Sequence, residues 1–73
     1  MSGVAVIGRP SDVAGFALAG ALVVTARTES EARHAWASLP ESVAVVVLTA
    51  ETAPFLASER ERPHAPLTVV MPS

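Results

Sequence analysis

"VAVIGRPSDVAGFALAGALVVT", residues Val4 to Thr25, holds a valine-rich run, Val4–Ile7, then a punctuated segment, then a second and weaker run, Ala21–Thr25. The first run lacks the polar alternation of a half-solvated strand and reads as a strand buried on both faces. Between the runs, Ser11 or Asp12 is placed to cap a helix, and Gly20 is placed to end it as the C′ residue. A strand, a helix and a second strand in this order form a parallel unit with a right-handed crossover.

Outward from that unit, Val43–Leu48 and Leu67–Met71 are also valine-rich, lack alternation, and read as strands buried on both faces. The element order is therefore βαβαβαβ, which predicts a small four-stranded parallel sheet with helices on both faces, a flavodoxin- or Rossmann-like three-layer sandwich. The second helix is the clearest: Thr28 and Glu31 form a T-x-x-E capping box. Ala32, Ala35, Trp36 and Leu39 recur at i, i+3, i+4 and i+7, with Glu29, Arg33, His34 and Ser38 toward solvent and Pro40 as terminator. The third helix starts near Thr52, because Pro54 is tolerated only in a first turn. It ends in the charged "SERERP", expected to be solvated.

Composition narrows the function classes. The chain has 73 residues, 51% hydrophobic and 16% charged, with a net charge of −2, so it carries neither a basic nucleic-acid footprint nor an acidic disordered tail. There is no cysteine, and the two histidines stand far apart at 34 and 64, which leaves no metal-ligand spacing. "MSGVAVIGRP" has no basic n-region and its apolar run is soon broken, so a secretion signal is not expected. The longest apolar run, Val13–Val24, is shorter than the roughly 20 residues that a spanning helix needs. A cytoplasmic protein without metal or cofactor is expected.

In a doubly wound sheet, ligands bind at the carboxyl ends of the strands, here Gly8–Asp12 and Leu48–Glu51. The dinucleotide fingerprint is missing, since the first turn offers Gly8 and then only Gly15, and no P-loop lysine follows. Arg9 beside a helix start is a candidate anion contact, with Asp12 as a competing charge. A phospho-receiver would need acidic residues where Arg9 and Thr49 stand. Ser11, Thr25 and Thr49 would need a histidine base, whereas His34 and His64 fall on surfaces elsewhere. Trp36 belongs to the apolar stripe of the second helix.

The first helix is the anomaly. As an α-helix it would turn Val13, Phe16, Ala17 and Gly20 toward the sheet, while Ala14, Gly15, Leu18 and Ala19 fill the rest and leave no polar side. An exposed Leu18 or Phe16 forgoes about 1.5–3 kcal/mol, and a contiguous apolar patch marks an interface. Gly15, Leu18, Ala19 and Gly20 are therefore the candidate partner-binding residues. The competing expectations are an anion- or nucleotide-binding module using the Gly8–Asp12 turn and a module that self-associates through this helix.

These residues also carry a family resemblance. "VAVIGRPSDVAGFALAGALVV", "TESEARHAWASLPESVAVVVLTAETA" and "PLTVVMPS" resemble the F subunit of the V-type and A-type rotary ATPases, with its G-F-x-L-A-G helix and a last strand closing on a Pro-Gly or Pro-Ser pair. Gly8, Gly15, Phe16, Leu18, Ala19, Gly20, Thr49, Pro66, Pro72 and Ser73 fit that pattern, and the fit covers the whole chain. The resemblance implies a sheet of order 2-1-3-4 and a non-catalytic central-stalk subunit. It further implies docking on the coiled-coil stalk subunit (the D subunit), indirect contact with the A/B catalytic ring, and support of proton or sodium transport from a position peripheral to the membrane. Arg9 stands where the family usually has an acidic residue. The sequence stops at Ser73 where the family continues into a tail helix, so the expectation is a single α/β domain over residues 1–73.

Overall fold

A computed structural model describes residues 3–72, with the backbone alone at residues 18 and 19. Four strands, β1 (Val4–Gly8), β2 (Leu22–Thr25), β3 (Val45–Leu48) and β4 (Leu67–Val70), form one all-parallel sheet of order β2-β1-β3-β4. The register pairs Ala5 with Leu22 and Val46, and Val46 with Thr68. Fold class and strand order are therefore as expected, with β2 and β3 each starting slightly later than the apolar runs suggest.

The helices are α1 (Pro10–Val13), α2 (Glu29–Ala37) and α3 (Ala57–Arg60). A 3₁₀ segment over Ala14–Ala19 continues α1, and another over Ala53–Leu56 leads into α3. Right-handed crossovers in this strand order place α1 on one face and both α2 and α3 on the other. The burial agrees: Ala5, Ile7, Val46 and Leu48 form the main core with Ala32, Ala35, Ala53 and Leu56. Val6 and Val13 are fully buried outside that cluster, on the α1 side.

The second helix follows its local code. Thr28 caps it, its hydroxyl accepting from the Glu31 amide at 3.1 Å, while the Glu31 carboxylate accepts from the Arg27 amide at 2.9 Å. The return bond of the capping box thus falls one residue early. Thr28→Ala should lower stability by about 1 kcal/mol, read as a thermal midpoint roughly 4–8 °C lower for a domain of this size.

Three expectations need correction. Arg9, not Ser11 or Asp12, is the first N-cap, with Pro10 in the first turn and no side-chain cap; the Asp12 and Val13 amides donate to the Arg9 carbonyl at 3.0 and 3.2 Å. Proline starts a helix at no cost because its missing N–H would have been unpaired there. Ala17 is exposed rather than packed on the sheet, because after Val13 the chain tightens to about three residues per turn and the α-helical stripe no longer holds. Gly20 does close this segment, at φ +84°.

The third correction concerns burial. β4 is an edge strand in which Leu67, Val69 and Val70 are exposed, so it is not covered on both faces as its composition implies. The charged end of the third helix is also less solvated than expected. Arg60 Nε donates to the Thr68 hydroxyl at 3.1 Å, and Glu59, largely buried, lies 3.7 Å from Arg33, which also pairs with Glu29 at 2.7 Å.

Candidate functional site

The carboxyl-end loops meet as the topology requires. Arg9 pairs with Glu51 at 2.8 Å, both half exposed, which ties the first turn to the loop after β3. Gly8 is required beneath them: a Cβ there would overlap the Thr49 methyl and lie 3.0 Å from Val13 Cγ1. The Thr49 and Thr52 hydroxyls bond each other at 2.8 Å in a buried position, so Thr49 serves the turn into the 3₁₀ segment.

This arrangement is poor in chemistry. Ser11 is exposed beside Arg9, Pro10 and Arg27, with no histidine bordering that depression. His34 lies near Ser30 and Ser38, and His64 borders a different depression with Trp36 and Pro66. Among the described residues no nucleophile, base and orienting acid come together, and of the two guanidiniums beside the first turn, Arg9 and Arg27, Glu51 pairs with Arg9. Among the described residues, no three histidine or acidic side chains are grouped to hold a metal.

The first helix is where the sequence placed a partner. Ala14, Gly15, Ala17 and Gly20 are exposed, and Phe16 is half-buried. The side chains of Leu18 and Ala19 lie outside the described residues. Beside this segment the same sheet face continues across β3 and β4. Gly8 faces Val13 of α1, so Val6 shares that face; the register then adds Val45 and Val47 from β3 and Leu67 and Val69 from β4. Leu67 is 68% exposed and Val69 49%, because α1 packs mainly on β1 and β2 and its 3₁₀ continuation mainly on β2.

The β3–β4 surface was missed from the sequence because "LTVV" has the composition of a buried strand. Topology carried the usable signal: two helices on one face and one short helix on the other leave part of the second face bare.

Fold and site together define a small doubly wound α/β domain with an apolar face and no reactive constellation among its described residues. Over residues 4–73 the sequence matches the family model for the ATP synthase (F/14-kDa) subunit. The chain belongs to that family, and is one component of a V/A-type ATPase. No curated protein matches it. Among the described residues, no helix is long and apolar enough to cross a membrane.

Proposed function

We propose that this chain is a non-catalytic central-stalk subunit of a V/A-type rotary ATPase. It binds the coiled-coil stalk subunit, stands in indirect contact with the A/B ring, and supports ATP-driven or ATP-yielding proton or sodium transport from the cytoplasmic side, peripheral to the membrane. The observation that carries this function is the family match over residues 4–73. The poverty of the carboxyl-end loops supports it: a doubly wound domain without a phosphate cradle or a catalytic pair is suited to binding rather than to turnover. Gly15, Leu18, Ala19 and Gly20 remain the contact proposed on the first helix.

Mixing the chain with the coiled-coil stalk subunit of the same organism tests this. A one-to-one complex by size-exclusion chromatography with light scattering is expected. A folded chain that gives no complex at concentrations of tens of micromolar, on the order expected for weak contacts within an assembly, would overturn it.

A further inference from the structure

We infer that the free edge of β2, with the side of α2 that flanks it, is a docking groove for one extended, uncharged segment of a partner chain in the same assembly. That segment adds a strand to the sheet. The inference rests on membership of the ATPase and not on docking to the stalk.

β2 ends the sheet on one side. The Ala26 amide donates to the Gly8 carbonyl at 2.8 Å, so by two-residue alternation Leu22 and Val24 also turn their backbone groups toward β1. Val23 and Thr25 turn theirs outward, where the described residues offer no partner. The next outward amide, that of Arg27, donates to the Glu31 carboxylate at 2.9 Å, and there the open stretch ends.

Beside this edge lies a depression of about 480 Å³. Its bottom is apolar, from the half-buried Val24 and the buried Ala35, and its wall is the exposed row Ser30, His34 and Ser38. The row recurs at i, i+4 and i+8, so it follows the length of α2 alongside the strand. In such a groove an added strand gains affinity from its main chain and sets alternate side chains against the flanking wall.

The two sheet edges are guarded differently. At β4, Arg60 Nε is bonded to the Thr68 hydroxyl, and Pro66 and Pro72 bracket the strand. Charge and proline are the usual means of blocking an edge. β2 holds neither and is flanked directly by Ala21 and Ala26. Arg27 and Glu31 stand at its carboxyl end with opposite charges, which gives the groove no net sign to recruit a charged segment.

A second copy is the poorer occupant. Two β2 edges would pair through Val23 and Thr25 alone, whereas a stable dimer buries about 800 Å² per partner. A segment held in the same assembly needs no such area, because its effective concentration is high.

Titration of the isotope-labelled chain with the capped peptide acetyl-Ser-Val-Thr-Val-Ser-amide, followed by amide shifts, tests the groove. Saturable shifts should appear over residues 23–27 and at Ser30, His34 and Ser38, with a dissociation constant of about 1 mM, since a few main-chain bonds must offset the cost of association. The same peptide N-methylated at its three central residues should bind about tenfold more weakly, having lost its donors. Val23→Pro removes an outward amide, which an edge strand tolerates, and should weaken binding equally while the chain stays folded. Val24→Pro removes a bond to β1 and should unfold it. The groove is overturned by an absence of saturable shifts at about 10 mM peptide, by shifts confined to β4, or by undiminished binding of the methylated peptide or of folded Val23→Pro. A Val24→Pro chain as stable as Val23→Pro overturns the orientation of the edge and the groove with it. A wild-type dimer in sedimentation that Val23→Pro dissociates makes a second copy the occupant and also overturns it.

Discussion

Gly8→Ala is expected to remove a large share of the chain's stability at room temperature. Gly8 ends β1, the strand that pairs with both β2 and β3, and the first turn and the Thr49 loop close over it. An added Cβ overlaps the Thr49 methyl and comes within 3.0 Å of Thr49 Oγ1 and Val13 Cγ1. Neither neighbour is a flexible tip: Thr49 is buried with its hydroxyl held by Thr52, and Val13 is fully buried. The backbone must move, at a cost of about 1–3 kcal/mol or more. A core in so short a chain rarely supplies more than about 3–5 kcal/mol in total. Urea unfolding followed by circular dichroism reads the loss. Thr49→Ser removes the methyl and keeps the hydroxyl for Thr52, so Gly8→Ala/Thr49→Ser should recover about half of it, a coupling typical of residues in contact. A double variant no more stable than the single would mean that the methyl is not the obstacle.

Leu56→Ala is the second large effect. Leu56 is fully buried, whereas α3, which follows it, buries no residue of its own. Leu56 and Ala53, with the half-buried Phe55 packed beside them, are therefore the apolar anchors of the 3₁₀ segment and the helix after it. Truncating Leu56 should cost about 2–5 kcal/mol, the usual range for a buried leucine. The loss should be local before it is global, since Arg60–Thr68 and Arg33–Glu59 are the polar ties left to hold residues 57–60. Amide exchange should show protection falling first over residues 53–60, ahead of β1 and β3. Uniform loss across the sheet would show instead that the helix and the sheet open as one unit.

What was legible in the sequence is what neighbours in sequence decide. Thr28 and Glu31 are three residues apart, and the bond between them forms as soon as the helix does. Gly20 sits at a left-handed position that its own flexibility makes cheap. The apolar periodicity of α2 likewise survives folding, with Ala32 and Ala35 buried and Trp36 and Leu39 packed beside them. The strand order, in contrast, came with the family resemblance, because valine runs of similar length carry no mark of which lies beside which.

Burial of β4 was illegible for a related reason. Leu67 and Val69 resemble Val46 and Leu48 as residues, and only the number of helices on each face separates an exposed side chain from a core one. In the candidate site, the loops could be placed at the carboxyl ends from topology, but the Arg9–Glu51 pair joins residues far apart in sequence. The switch of α1 into a 3₁₀ segment after Val13 was hidden as well: a run of alanine and glycine suits either winding, and the choice moved Ala17 from the sheet to the surface.

The central position of β1 bears on how the chain is made. Of the four strands it leaves the ribosome first, yet its two flanks are completed at different times, by Leu22–Thr25 early and by Val45–Leu48 much later. No tight hairpin relieves the wait, because every pairing is parallel and needs a crossover between its strands. Until β3 emerges, Val4, Val6 and their neighbours form a nascent two-stranded sheet with a bare hydrogen-bonding edge, the kind that invites pairing with other chains. Arg9 and Asp12 after β1 and Arg27 after β2 are charges close to that unfinished edge in sequence, set where charges discourage such pairing.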